Sequence, residues 1–246
     1  MRFNLLPTVL LLLTPLAASK LTAAEADNPK KTVKAVTPEN RTDKWWSDRH
    51  TQKLKASKNQ SVDLLMIGDS ITHGWEGHGK KVWQEYYAQR NAFNIGYSGD
   101  RTEHVIWRLQ HGEIDSISPQ LAVVMIGTNN TGHRQDPPAE TAAGIKQILV
   151  ELRQRKPQMK VLLLAIFPRG ATADDKLRKI NTSINEYIKQ YADGKSIFFL
   201  DLNSAFLDDR GRLPKSVMPD LLHPHEAGYR RWAKAMEPTI LKLLAQ

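Results

Sequence analysis

The sequence predicts a doubly wound α/β domain built on a mostly parallel sheet. Five short apolar runs, at residues 62–67, 92–95, 121–126, 161–166 and 197–200, are too short for helices and are followed by glycine, proline or aspartate. They read as buried strands. Between them lie helical patterns. Ile145, Ile148, Leu149 and Leu152 share one face, and Leu177, Ile180, Ile184, Tyr187, Ile188 and Tyr191 keep a period of 3.6. Strands that alternate with helices in this way pack as one sheet covered on both sides.

The elements follow in chain order. Met1-Arg2 gives a positive start, residues 5–16 are apolar apart from two threonines, and small residues follow at Ala17, Ala18, Ser19, Ala23 and Ala24. This pattern predicts a secretory signal peptide over residues 1–24 and a secreted or periplasmic protein. The apolar stretch is shorter than the roughly 20 residues of a spanning helix, so no membrane insertion of the mature chain is expected. Residues 25–60 are polar and lysine-rich, with Pro29 and Pro38. They predict a leader whose Trp45-Trp46 pair packs back on the domain. The domain itself spans residues 61–246. Thr172 to Asp175 reads as a capping box before the second helical pattern, and a last helix runs from about Glu226 to Leu244. No internal repeat and no second domain is visible.

Composition narrows the function. There is no cysteine, so neither disulfides nor a lipid anchor on cysteine can form. The formal charge is +9, and loss of Arg2 and Lys20 with the leader peptide would leave +7. Lysine and arginine are spread along the chain without a dense basic run, so nucleic acid is not an expected partner.

Ligands of such sheets bind beyond the carboxyl ends of the strands. Those ends read Gly68-Asp69-Ser70, Gly96-Tyr97-Ser98-Gly99-Asp100 and Gly127-Thr128-Asn129-Asn130. Each is also an ordinary turn or cap sequence, and only their meeting on one edge makes chemistry of them. A serine becomes a nucleophile when a base takes its proton and a third group holds that base. "DLLHPHEAGY" offers such a base, with Asp220 three residues before His223 in one turn. His223-x-His225 has no further ligand at metal-site spacing. Asn129 and Gly99 are candidate oxyanion donors, one through its amide and one through a backbone N–H. Ser98 competes with Ser70, but Gly96-Tyr97-Ser98-Gly99-Asp100 breaks the G-x-S-x-G elbow at its last position. The glycine-rich stretch 74–79 lacks the GK[ST] of a phosphate loop.

GDS, Gly99, GTN and D-x-x-H, in that order over residues 62–229, resemble the four motif blocks of the SGNH/GDSL hydrolases. The segments "NIGYSGDRTEHVIWRLQHGEID", "VVMIGTNN" and "FPRG" are similar to the catalytic subunits of intracellular platelet-activating-factor acetylhydrolase and to related secreted bacterial GDSL esterases. The resemblance implies a flavodoxin-like three-layer α/β/α sandwich and ester hydrolysis with no metal or other cofactor. It makes Ser70 the nucleophile, His223 the base and Asp220 its partner. It assigns the oxyanion hole to the Ser70 and Gly99 N–H groups and the Asn129 side chain. Ile71 and Leu222 become the walls of a small acyl pocket. Ser98 stands where those enzymes carry glycine, and they lack a signal peptide. The expected substrate is a short-chain, acetyl-type ester of a small molecule or carbohydrate, with Trp45, Trp46, Trp75 and Trp83 as candidate faces for sugar rings. A lipid acyl hydrolase (a lysophospholipase or platelet-activating-factor acetylhydrolase type) and a non-catalytic glycan-binding module are the alternatives.

Overall fold

In the computed structural model the described residues are 32–245 and Met1. The expected signal peptide therefore lies outside the described residues except for Met1. Strands β1 (Leu64–Gly68), β2 (Ala92–Gly96), β3 (Leu121–Met125), β4 (Lys160–Leu164) and β5 (Ile197–Leu200) form one sheet in the order β2-β1-β3-β4-β5. All four pairings are parallel. This is the flavodoxin-like order, in which the chain leaves β1 toward one edge for β2 and returns to the other side for β3.

Side chains alternate across the sheet and feed two cores. Leu65, Ile67, Val124 and Leu163 face one layer, built from α1 (Lys44–Ser57), α4 (Thr102–Gln110), α5 (Pro138–Arg155) and α6 (Lys176–Ile188). Leu64, Met66, Val123 and Leu162 face the other, built from α2 (Ser70–His73), α3 (Lys80–Tyr86), α7 (Asn203–Phe206) and α8 (Glu226–Leu244). Each such side chain, fully buried, contributes about 1.5–3 kcal/mol of transfer free energy. The sandwich is thus three layers, α/β/α.

Three local expectations need correction. The fourth apolar run stops being strand after Leu164, because the Asn185 side chain takes both the N–H of Ile166 (2.7 Å) and its carbonyl (2.9 Å). The cap of α6 is Asp175 itself, which accepts from the N–H groups of Leu177 and Arg178, so Thr172 does not start the helix. The tryptophans do not behave alike. Trp46 and Trp75 are sealed in the two cores and can offer no face to a ligand, Trp83 is half-buried, and Trp45 is 41% exposed.

Helix α1 lies against the domain through Trp46, whose indole N–H donates to the buried Asp100 carboxylate at 2.7 Å. Arg49 of the same helix donates to the carbonyl of Gly96 at the end of β2. These contacts bring residues near the N-terminus to the edge of the sheet where the motifs gather.

Candidate active site

The chain leaves β1 at Gly68 and turns at once into the short helix α2, which begins at Ser70. Asp69 caps that helix by accepting from the N–H of Ile71 at 3.0 Å. Its carboxyl is wholly buried, and burial, aided by the nearby Asp100 charge, pushes it up to about 7. Behind α2, the Tyr229 hydroxyl donates to the carbonyl of Ile71 at 2.8 Å. A side chain at position 74 would collide with that hydroxyl, so Gly74 permits the contact. Ser70 is held in place from both ends.

Its hydroxyl lies 2.9 Å from Nε2 of His223. The other ring nitrogen, Nδ1, is 2.6 Å from Asp220 Oδ2, while Asp220 Oδ1 accepts from the N–H groups of Leu222 and His223. The carboxylate thus closes its own turn and orients the imidazole in one step. Leu221 adopts a left-handed backbone (φ 61°) to make the turn, a conformation that costs a non-glycine residue on the order of 1 kcal/mol. Partial burial alone would raise the Asp220 carboxyl; hydrogen bonds from the His223 ring and backbone hold it below the ordinary range instead. It is an anion at neutral pH and fits an imidazole that becomes charged.

The other two strand ends lie at the same edge of the sheet, though neither Gly99 nor Asn129 lines the cleft that holds Ser70 and His223. Gly99 has φ +79°, which glycine adopts without strain. Asn129 is buried after β3 and donates to the carbonyl of Asp100 at 2.9 Å, which fixes its amide and leaves a second N–H available to a ligand. Its neighbour Asn130 is spent on structure, binding Thr102 at the start of α4 and Asp136.

Ser70, Asp220 and His223 line a cleft of about 640 Å³ together with His73, Glu76, Ser98 and His225. Ser98 has an imidazole of its own: its hydroxyl lies 3.0 Å from Nδ1 of His73. That pair is tuned differently. Burial and the Arg49 charge push His73 down to about 4, and the nearest carboxylate, Glu76, stands 3.9 Å from its Nε2. A histidine with so low a pKa is a weak base near neutrality. His225 stacks on His78. Among the described residues no three His, Cys, Asp or Glu side chains converge as metal ligands would. Ile71 is buried in the core, Leu222 packs on the same cluster, and neither side chain lines the cleft. A separate groove of about 510 Å³ between α5 and β5, lined by Leu149, Val150, Tyr191 and Ile197, has no serine–histidine pair.

Several supporting residues escape the sequence reading. Arg108, fully buried, bridges Asp100 and Glu113 and lies 3.9 Å over the Tyr97 ring. Arg41 donates to the carbonyl of Ser98 at 2.6 Å, and Arg169 donates to the carbonyl of Thr128 at 3.0 Å. The signal for Arg108 was the density of charge in an otherwise helical stretch, "RTEHVIWRLQHGE".

Known proteins resemble the chain in sequence and in fold. The family model for GDSL-like lipases and acylhydrolases matches residues 66–231, more than half of the chain. Platelet-activating factor acetylhydrolase IB subunit alpha1 of Homo sapiens is 34% identical over 202 residues, covering 82% of this chain and 85% of that protein. The alpha2 subunit of Rattus norvegicus is 31% identical over the same length, covering 82% and 86%. Among solved structures, a GDSL-like lipase from Bacteroides thetaiotaomicron superposes with a TM-score of 0.65 at 19% identity, covering 79% of this chain and 97% of that one. An acetylxylan esterase from Geobacillus stearothermophilus superposes at 0.58 with 22% identity, covering 77% and 97%. These two structures share the fold. On the family model and the curated relatives, the chain belongs to the GDSL-like lipase/acylhydrolase family and is a carboxylic ester hydrolase.

Proposed function

We propose that the protein hydrolyses short-chain esters, acetyl esters above all, through a Ser70–His223–Asp220 triad, and that the alcohol it releases is a carbohydrate. The observation that carries the reading is the unbroken relay of 2.9 Å from Ser70 Oγ to His223 and 2.6 Å from His223 to Asp220. His223 Nε2 takes the proton of Ser70 as Oγ attacks the ester carbonyl. The oxyanion that forms is held by the N–H groups of Ser70 and Gly99 and by the Asn129 amide. His223 then returns the proton to the departing alcohol, and water repeats the sequence to release the acid. The acyl half binds at Ser70, and the acetyl preference is read from the acetyl esters on which relatives of this fold act, not from Ile71 and Leu222, which do not line the cleft. The larger alcohol half takes the polar cleft. No step in this sequence calls for a metal or other cofactor.

An exported enzyme would meet acetylated polymers outside the cell, and the acetylxylan esterase with the same fold acts on one such polymer. The relatives named platelet-activating factor acetylhydrolase favour a second reading, an acetylated or acylated lipid. The two readings part on chain length and on the alcohol. With p-nitrophenyl esters from acetate to octanoate, the proposal expects the highest kcat/KM on acetate and loss of hydrolysis in Ser70→Ala. A rate that climbs with chain length would favour the lipid reading, and hydrolysis surviving in Ser70→Ala would overturn the mechanism.

A further inference from the structure

The mechanism uses one side of the cleft and leaves the other unexplained. That other side is a built structure. The Ser98 hydroxyl meets Nδ1 of His73 at 3.0 Å, and the Ser98 carbonyl is pinned by Arg41 at 2.6 Å. The His73 ring lies flat against Trp45, with centroids 6.3 Å apart and planes 20° apart. Glu76 stands beyond it, its carboxylate gripped by Arg49 and Lys53 at 2.8–2.9 Å. Ser98, His73 and Glu76 all line the same cleft as Ser70 and His223.

We infer that Ser98 and His73, with Glu76 behind them, form a specificity site that reads the ring hydroxyls of the alcohol half of the substrate. This rests on the carbohydrate reading above and assigns residues to it. The Glu76 carboxylate 3.9 Å from Nε2 of His73 favours the tautomer with its proton on Nε2. Nδ1 is then an acceptor, and Ser98 must donate to it. A Ser98 hydroxyl so committed keeps its lone pairs for the cleft, where they can accept only from a donor such as a sugar hydroxyl. Glu76 supplies further acceptor oxygens, since a carboxylate has about four lone-pair sites and three donors occupy it here. Trp45 backs His73 from outside the cleft, with the Arg41 guanidinium also over its ring at 5.2 Å. A wall of fixed acceptors suits a polyhydroxyl ring. A smooth alkyl chain would leave those acceptors unpaired. His73 is a weak base, with its Nδ1 engaged by Ser98, so the pair is placed to position substrate rather than to move the acyl-transfer proton.

The test compares two acetates of equal ring size, a mono-O-acetylated methyl glycoside and cyclohexyl acetate, in the full-length mature enzyme. The quantity read is the ratio of their kcat/KM values within each variant, so that loss of folded enzyme cancels. Parent enzyme should prefer the glycoside. In Ser98→Ala the ratio should fall about tenfold, mostly through KM for the glycoside, the effect of one lost hydrogen bond. Ser98→Thr, which keeps the hydroxyl, should recover most of it. A parent preference that Ser98→Ala leaves within twofold would overturn this assignment while the carbohydrate reading stands. A parent enzyme that hydrolyses both esters without preference would overturn the carbohydrate reading, and the assignment with it.

Discussion

Ser70 with His223 and Ser98 with His73 face one cleft at nearly the same hydrogen-bond distance, 2.9 and 3.0 Å. What stands behind each imidazole separates them. Behind His223 is a carboxylate at 2.6 Å, held anionic by the turn it closes. Behind His73 is a carboxylate at 3.9 Å whose charge is already spent on Arg49 and Lys53, and which those cations bring down to about 2 although burial would raise it. Burial and the Arg49 charge keep His73 neutral to about pH 4. A serine–histidine contact is therefore no evidence of a nucleophile by itself. The third group and the solvation of the imidazole decide whether the pair moves a proton or merely holds one.

Substitutions can break or sharpen this contrast. The largest expected effect is in Ser70→Ala, where kcat on p-nitrophenyl acetate should drop by about 10⁴-fold or more. Ser98→Ala on the same ester should cost at least a hundredfold less than that. Equal losses in the two variants, measured at matched folded fractions, would erase the distinction. Next in size is Asn129→Ala. Removing one oxyanion donor costs about 10²–10³ in kcat, with KM little changed. A loss confined to KM would instead make Asn129 a binding residue.

A smaller effect separates the ground beneath the two serines. Asp69, next to Ser70, is buried with its carboxyl raised to about 7, against an ordinary value near 4 in the unfolded chain. A carboxyl raised on folding gives stability that is complete below the unfolded value and is lost as pH climbs through the folded one. The parent protein should thus lose ground to Asp69→Asn between about pH 4 and pH 7, by an amount on the order of a few kcal/mol, and hold a constant difference above that. Thermal melts of both proteins across that range read it directly. A difference in Tm that stays flat with pH would mean that Asp69 folds in its ordinary charged form.

How much of this could be read from the sequence follows from how far apart the partners lie. The sheet was legible because each strand is a short, mostly apolar run with a turn residue soon after it. The Asp220–His223 contact was legible because both sit in one turn, and the placement of Ser70, Gly99 and Asn129 at one edge because parallel strands deliver their carboxyl ends there. Helices α1 and α4 were not. The buried face of α1 is Trp46, His50 and Ser57, and that of α4 includes Glu103, His104 and Arg108, so hydropathy carries little of their period. The His73–Ser98 contact joins residues 25 apart, one at the end of α2 and one in the loop after β2, and Trp46 reaches Asp100 across 54. Such pairings depend on loop conformation, which local spacing does not encode. The tryptophans make the same point, because neighbours Trp45 and Trp46 on one helix differ, one exposed and one sealed.

The central claim is that Ser70, and not Ser98, receives the acyl group. The most direct measurement is covalent capture of the nucleophile with a p-nitrophenyl alkylphosphonate, whose phosphorus is attacked as an ester carbonyl would be, followed by mass spectrometric mapping of the labelled peptide. The account expects one equivalent of phosphonate on Ser70, absent from Ser70→Ala and still present in Ser98→Ala. Phosphonate on Ser98 in the parent protein would contradict it.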